Sequence, residues 1–253
     1  MRDYKLSPRA MVMVAGSSKG TQPKYFDKGF WYKENRAGYE GKTEQLASLV
    51  LSCSNVDYFV RYEECTINGK KGCRSQNFLK EGRSFLSFQR LYDMYFGGNL
   101  SERIIIMDDP QDRINFIKEF IRDYTGFDCS DYLSKILAFD MLILNTDRHF
   151  NNLGIIVDTE TEECFEAPVF DNGAGLLSDF TRFPMDNSID ENIESAYGQP
   201  FSSSLEMQAQ LAGVTLKIDY DKLEAALRDE PQSRALTVLK YQLDRYKGLL
   251  CKS

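Results

Sequence analysis

The sequence predicts an α+β fold in which strands are concentrated in the first third of the chain and helices in the rest. The chain has 253 residues, and at roughly 150 residues per domain this length allows one or two domains. Its 42% hydrophobic and 27% charged residues are close to the globular average, which argues against disordered and collagen-like architectures. Short apolar runs come early, and apolar residues at helical spacing come later.

The first third predicts strands and turns with one helix between them. The run AMVMVA at 10–15 and the alternating segment GFWYKE at 29–34 are typical of strands. Between 43 and 53 the apolar residues recur at helical spacing, with Thr43 as the expected N-cap. Asn68-Gly69 then predicts the turn of a β-hairpin.

The middle of the chain predicts two helices. Asp109 is the expected N-cap of the first, with Pro110 at its first position and Gly126 as its stop. Its expected apolar face contains Ile114, Ile117, Phe120, Ile121 and Tyr124. Ser130 or Asp131 opens the second helix, which is apolar on more than one face and therefore central.

The remainder predicts a hairpin, a loop and two further helices. The segments GIIVD at 154–158 and CFEAPVF at 164–170 are strand-like, and 219–230 and 233–250 are helical. Between them, Ser178 to Ser204 is poor in apolar residues and contains two prolines, so we expect a long surface loop there.

Charge and hydrophobicity exclude several classes of protein. The excess of 38 acidic over 31 basic residues gives a net charge of -7, which disfavours a protein that coats nucleic acid. No apolar run approaches the ~20 residues of a membrane helix, and the N-terminal apolar stretch is too short for a secretory signal. We therefore expect a cytoplasmic protein, or one exported as an effector without a visible signal peptide, that binds neither nucleic acid nor membranes directly.

The cysteines predict neither a metal site nor a disulfide framework. Six cysteines are spread along the chain without a CxxC pair, and there is one histidine. We expect reduced and mostly buried thiols.

The segment 142–175 carries the residues with the clearest chemistry. Asn152 lies five positions after Asp147, and Asp171 follows 19 positions later, beyond the expected hairpin. Phosphoryl transfer needs a carboxylate beside the attacking hydroxyl and oxygen ligands for Mg2+. Because a hairpin brings its two ends together, the spacing places both kinds of group at one site.

The same motifs resemble two related kinase families. DRHxxN followed by a hairpin and an Asp-containing turn resembles phosphatidylinositol 3-kinase-like enzymes. The longer pattern of GTQPK, WYK, NTDRHFNN and VFDNG resembles the HipA-type protein serine/threonine kinases, in particular the compact CtkA-like branch. The resemblance implies a two-lobed protein-kinase-like fold, with an ATP-binding N-lobe at 1–79 and a helical C-lobe at 80–253.

The resemblance also implies roles for individual residues at the catalytic end of the site. Asp147 matches the catalytic aspartate, and His149 matches a histidine near the γ-phosphate. Asn152 and Asp171 match the Mg2+ ligands.

The nucleotide-binding roles fall mostly in the N-lobe. Lys33 matches the lysine that contacts the α- and β-phosphates, and we expect Glu44, or alternatively Glu40, as its ion-pair partner. The matching phosphate loop contains Gly16, Ser17, Ser18 and Gly20, with Ser17 or Ser18 as the expected autophosphorylation site. The expected adenine-binding linker contains Gln76, Asn77 and Phe78.

The expected activity is that of a protein serine/threonine kinase with ATP and Mg2+ as cofactors. Its expected partners are a protein substrate of unknown identity and an antitoxin or a host protein. The alternatives are a phosphoinositide-type lipid kinase and a pseudokinase that binds nucleotide without turnover.

One acidic residue, Asp140, lies inside the apolar run ILAFDMLIL. Because an unpaired buried carboxylate is costly, Asp140 either faces water or hydrogen-bonds to the catalytic loop.

Overall fold

The computed structural model describes residues 1–12 and 23–252. The expected phosphate loop, with Gly16, Ser17, Ser18 and Gly20, lies outside the described residues, as does the second half of the strand expected at 10–15. Ala10 ends a 3-10 helix over Pro8–Ala10, and Met11 forms a single bridge to Tyr25.

From residue 29 onwards the predicted strands and helices occur in the expected order, and the structure contains further elements between them. The first half contains β1 (Asp3–Tyr4), β2 (Lys24–Asp27), β3 (Phe30–Glu34), α1 (Glu40–Leu51), β4 (Tyr62–Ile67), β5 (Lys70–Gln76), β6 (Arg83–Ser87), α2 (Phe88–Phe96), α3 (Leu100–Ile105) and α4 (Pro110–Thr125). The second half contains α5 (Ser130–Ile143), β7 (Gly154–Asp158), β8 (Cys164–Glu166), α6 (Ile189–Glu194), α7 (Leu205–Ala212), α8 (Tyr220–Leu227) and α9 (Arg234–Leu250).

Two sheets frame the site. The first has the order β1-β4-β5-β3-β2, with antiparallel pairs except for the parallel pair of β1 and β4. The second is antiparallel, with the order β6-β7-β8. The largest hydrophobic core is formed mainly by helices and includes the apolar side of α1, so α1 joins the first sheet to the helical part of the chain. The expected domain boundary between residues 79 and 80 stays a prediction.

Local signals set several element ends as the sequence predicts. Asn68 and Gly69 form the β4–β5 turn with φ of 51° and 87°, the left-handed conformation of a tight hairpin. The Asp109 side chain caps α4 by accepting from the backbone N–H of Gln111, and Gly126 ends α4 at φ 71°. The predicted face of α4 is buried except at Tyr124, which is exposed.

The prediction that Thr43 caps the first helix is wrong. Helix α1 begins three residues earlier, at Glu40, and Thr43 is buried in its first turn. The Glu40 carboxylate accepts from the backbone N–H groups of Arg36, Ala37 and Gly38. This carboxylate stabilises the turn that leads into the helix.

The prediction of a long surface loop over Ser178–Ser204 holds only in part, since most of the segment is irregular and much of it is exposed, but some of it is helical or buried. Helix α6 lies within it, started by a reciprocal capping box between Ser188 and Glu191. Phe183 and Phe201 from this segment are buried, and Phe201 packs against Phe150 of the loop that follows α5. Two buried aromatic anchors hold the segment against the helical part.

All six cysteines are free, four of them buried. In the described ranges no helix is both long and apolar enough to span a membrane.

Candidate active site

Lys33 lies at the centre of a buried cluster of charges. Strand β3 holds its Nζ 2.9 Å from Glu44 Oε1 of α1 and 2.6 Å from Asp171 Oδ1. The Glu44 side chain is 2% exposed, that of Lys33 is 11% and that of Asp171 is 29%, so the cluster opens towards solvent on the Asp171 side. Of the two expected partners of Lys33 the structure selects Glu44, since Glu40 is used by the turn before α1.

The charges in this cluster shift the pKa values of its members. Burial alone would lower the pKa of Lys33, but Asp171 and Glu44 outweigh it and hold that pKa well above its usual value. Burial raises the pKa of Glu44 despite its contact with Lys33. Burial would also raise the pKa of Asp171, but Lys33 outweighs it, and the pKa lies well below its usual value. Asp171 is therefore an ionised carboxylate at the open side of the cluster.

Tyr62, which the sequence reasoning missed, supports the same cluster. Its hydroxyl accepts from Lys33 Nζ at 3.5 Å and from the backbone N–H of Asp171 at 3.4 Å. Glu44 continues the connection, since its Oε2 accepts from the backbone N–H of Asn172 at 2.9 Å. The first sheet, α1 and the turn after β8 thus meet through hydrogen bonds at one point. An aromatic residue facing inwards on a strand gives no sequence signal for such a role.

The loop between α5 and β7, residues 144–153, carries the expected catalytic residues. Asp147 is exposed, and its Oδ1 accepts from Gln199 Nε2 at 3.0 Å. Gln199 also donates to the Thr146 carbonyl at 3.0 Å, and Asn152 Nδ2 donates to the Asp147 carbonyl at 3.4 Å. Gln199 belongs to the segment that was expected to be a surface loop, so its contact with Asp147 could not be foreseen.

A buried ion pair lies beneath this loop. Asp140 and Arg148 are both 0% exposed, and Arg148 binds the Asp140 carboxylate through Nε and Nη2. Arg148 also donates to the Phe170 carbonyl and to Asn172 Oδ1, both at 2.7 Å. Of the two expectations for Asp140, hydrogen bonding to the catalytic loop is confirmed and exposure to water is wrong. Arg148 therefore ties the loop of Asp147 to the turn of Asp171.

Arg148 was not selected from the sequence, although a signal for it existed. A carboxylate inside an apolar helix requires a cation. The arginine eight positions later in DRH was available as that partner.

The oxygen atoms at the site fit Mg2+ bound together with phosphates. Asn152 uses its Nδ2 as a donor, which leaves its amide oxygen to act as a ligand, and Asp171 is held ionised by Lys33. Mg2+ favours one or two carboxylate or amide oxygens completed by water and substrate phosphates. In the described part of the chain there is no group of three or more His, Cys, Asp and Glu residues that could hold a metal without such a substrate.

Among the eight buried side-chain nitrogen and oxygen atoms without a partner in the described residues, two belong to the segments that carry Asp147 and Asp171. His149 Nδ1 and Asn172 Nδ2 have no hydrogen-bond acceptor or donor within the described ranges. One flanks Asp147 by two positions, and the other follows Asp171. Because buried polar atoms without partners are rare, these two atoms are candidate contacts for a ligand of the site.

The expected adenine-binding linker follows β5. Gln76 ends β5 and is exposed, and Asn77 Oδ1 accepts from Trp31 Nε1 at 3.3 Å. The Phe78 ring lies 5.5 Å from that of Phe170, which precedes Asp171. Phe78 is thus close to the charged cluster, and a role of these residues in adenine binding stays a prediction.

Comparison with known proteins finds similarity in structure. No protein-family model and no curated protein matches the sequence. The crystal structure of the proinflammatory kinase CtkA from Helicobacter pylori matches with a TM-score of 0.66 at 16% identity, over 98% of this chain and 94% of that one. A chain of the HipA–HipB–operator DNA complex from Shewanella oneidensis MR-1 matches with a TM-score of 0.49 at 14% identity, over 90% of this chain and 56% of that one. The match to CtkA, over nearly the full length of both chains, shows that this chain has a two-lobed, kinase-like α+β fold.

Proposed function

We propose that this chain is an ATP- and Mg2+-dependent protein serine/threonine kinase. The observation that carries the proposal is the convergence of Lys33, Glu44 and Asp171, which come from a strand, a helix and a distant turn. The kinase-like fold supports it. Asp147 lies on a loop tied to the same turn through Arg148.

The charge of the cluster suits a nucleotide–metal complex. One lysine against two carboxylates leaves a formal charge of about -1, which favours entry of a divalent cation. Asp171 and Asn152 would hold Mg2+, which neutralises charge on the β- and γ-phosphates. Lys33 would then donate to phosphate oxygens while Glu44 keeps its ammonium in place.

Asp147 has the exposure that its proposed role requires. Its Oδ1 is held by Gln199, so the carboxylate is oriented, while its exposed position lets an acceptor hydroxyl approach Oδ2. An ionised carboxylate there orients the hydroxyl and accepts its proton as the phosphoryl group is transferred.

Transfer of the γ-phosphate tests the proposal. Purified protein is incubated with ATP labelled in the γ-phosphate, Mg2+ and a generic protein acceptor, with phosphoinositide vesicles in parallel. We expect labelled protein, and a loss of roughly 10²- to 10⁴-fold in Asp147→Ala. Asp171→Asn should lose Mg2+-dependent activity, while the matched surface variant Asp93→Asn keeps full activity.

The alternatives predict other results. Label in the lipid fraction alone would indicate the phosphoinositide-type kinase. Nucleotide binding without label in either fraction would indicate the pseudokinase. Full activity in Asp147→Ala or Asp171→Asn would contradict the assigned roles.

We further propose that Ser17 or Ser18 is an autophosphorylation site. A phosphate there would add about -2 charge to the expected phosphate loop and should repel nucleotide. Intact mass after incubation with ATP should rise by one phosphate, and Ser17→Asp should weaken ATP binding. Unchanged mass would refute this, and so would wild-type ATP affinity in both Ser17→Asp and Ser18→Asp. The acceptor protein, and an antitoxin or a host protein as partner, stay predictions.

A further inference from the structure

Arg182 carries an unsatisfied charged group next to the catalytic loop. Its Nη2 is buried and has no acceptor, and it is the one guanidinium or ammonium nitrogen in that condition in residues 1–12 and 23–252. A buried charged donor without an acceptor is more costly than a neutral one. Such a group in a folded protein calls for an explanation, and a ligand that binds there supplies one.

The surroundings of Arg182 hold the guanidinium without neutralising it. Its carbon lies 5.3 Å from the centre of the Phe183 ring and 4.5 Å from that of Tyr197. Its Nη1 donates to Thr146 Oγ1 at 3.0 Å. Stacking and one hydroxyl fix the plane of the group but supply no negative charge.

The nitrogen that remains unsatisfied belongs to the edge that recognises anions. Nε and Nη2 point in the same direction along one edge of the planar guanidinium. This edge can grip a carboxylate or a phosphate with two parallel hydrogen bonds. Tyr197, whose ring lies over the group, is itself 53% exposed, so this side of the guanidinium faces the surface.

The position of Arg182 relates it to the acceptor. Thr146, which binds Nη1, directly precedes Asp147, and Gln199 contacts both of these residues. An extended peptide advances about 3.3 Å per residue. In an acceptor peptide whose serine or threonine hydroxyl lies at Asp147, a side chain within about three residues of that hydroxyl therefore reaches Arg182.

We propose that Arg182 binds an anionic side chain, a carboxylate or a phosphate, of the acceptor protein close to the serine or threonine that receives the phosphoryl group. The proposal rests on the proposed kinase function and gives its acceptor a chemical class. Arg182 selects acidic or already phosphorylated acceptor segments, and Tyr197 covers the guanidinium until such a segment binds.

Peptide binding tests this independently of phosphoryl transfer. Fluorescent peptides with a central serine carry Asp, phosphoserine, Ala or Lys at each flanking position in turn. Their affinity is measured by anisotropy with a non-hydrolysable ATP analogue and Mg2+, for wild type, Arg182→Gln, Arg182→Glu and the surface control Arg122→Glu. Thermal unfolding of each variant checks that it is folded.

We expect wild type to bind the Asp or phosphoserine peptide about tenfold or more tightly than the Ala peptide at one or two positions. Arg182→Gln should abolish this preference, Arg182→Glu should reverse it in favour of Lys, and Arg122→Glu should leave it unchanged. The comparison of Asp with phosphoserine identifies which anion is preferred.

Three results would overturn the proposal. One is equal binding of all peptides by wild type, which needs no variant to fold. The second is an acidic preference that persists in Arg182→Gln. The third is weaker nucleotide binding in Arg182→Gln with peptide selectivity intact, which would assign Arg182 to the nucleotide. Selective binding without any transfer of label would refute the kinase function and leave this site standing.

Discussion

Removal of the Asp140 carboxylate tests the buried ion pair beneath the catalytic loop. Arg148 makes three contacts with this carboxylate, at 2.8, 2.9 and 3.2 Å, and neither side chain is exposed. Asp140→Ala leaves a guanidinium in the core with only the Phe170 carbonyl and Asn172 Oδ1 as acceptors. Breaking a buried pair in this way costs about 3–5 kcal/mol.

This loss is a large fraction of the free energy of unfolding of a typical domain, which is about 5–15 kcal/mol. Urea unfolding followed by Trp31 fluorescence and by circular dichroism measures it. The matched control is Asp93→Ala, which breaks the exposed Arg90–Asp93 pair and should cost at most about 1 kcal/mol.

A double-mutant cycle separates the pair from other effects of the substitutions. Arg148→Ala alone leaves the Asp140 carboxylate buried without its cation, with Asn145 Nδ2 as its remaining side-chain donor, so it should also be strongly destabilising. The double variant removes both charges and should cost about 2–3 kcal/mol less than the sum of the single variants. A cost below about 1 kcal/mol for Asp140→Ala, or additive effects in the cycle, would refute the ion-pair reasoning.

Three further predictions follow from the site and its surroundings. Gln199→Leu removes the hydrogen bond that orients Asp147, so kcat in steady-state kinetics should fall roughly tenfold or more while KM for ATP stays unchanged. A rise in KM with kcat unchanged would contradict this. Glu44→Gln removes the charge that holds Lys33 and should weaken Mg2+–ATP binding, measured by calorimetry, about tenfold or more. The control Glu206→Gln, which changes an exposed ion pair, should bind Mg2+–ATP like wild type. Equal affinities of the Glu44→Gln variant and wild type would argue against the role of Glu44. Burial raises the pKa of Cys65 to about 11 and that of Cys129 to about 12, so these thiols stay protonated at pH 8 and react only as pH rises towards those values. Iodoacetamide labelling read by mass spectrometry should therefore modify the exposed Cys251 first. Rapid labelling of Cys129 in folded protein would contradict its burial.

Features encoded by neighbouring residues could be predicted from the sequence. Asn68-Gly69 sets a hairpin because both residues tolerate a left-handed backbone. Asp109 caps the start of α4 and Gly126 caps its end, each through a hydrogen bond within one helical turn. The pairing of Lys33 with Glu44 was implied by the resemblance to HipA-type kinases, which left Glu40 as the alternative, and the 2.9 Å contact decides between them.

Features that depend on distant parts of the chain could not be predicted in the same way. Phe183 and Phe201 are isolated apolar residues in a polar segment, and only the packed structure shows that they are buried. The contact of Gln199 with Asp147 joins residues 52 positions apart. Thr43 was preferred as a cap by residue type, but the backbone enters α1 earlier because Glu40 stabilises the preceding turn.

The central claim is that Lys33, Asn152 and Asp171 bind one Mg2+–nucleotide complex. A crystal structure with Mg2+ and a non-hydrolysable ATP analogue tests it most directly. We predict that Lys33 Nζ leaves its 2.6 Å contact with Asp171 for phosphate oxygens, still paired with Glu44, while oxygens of Asn152 and Asp171 bind the metal. A nucleotide bound elsewhere, with the contact between Lys33 and Asp171 intact, would contradict the claim.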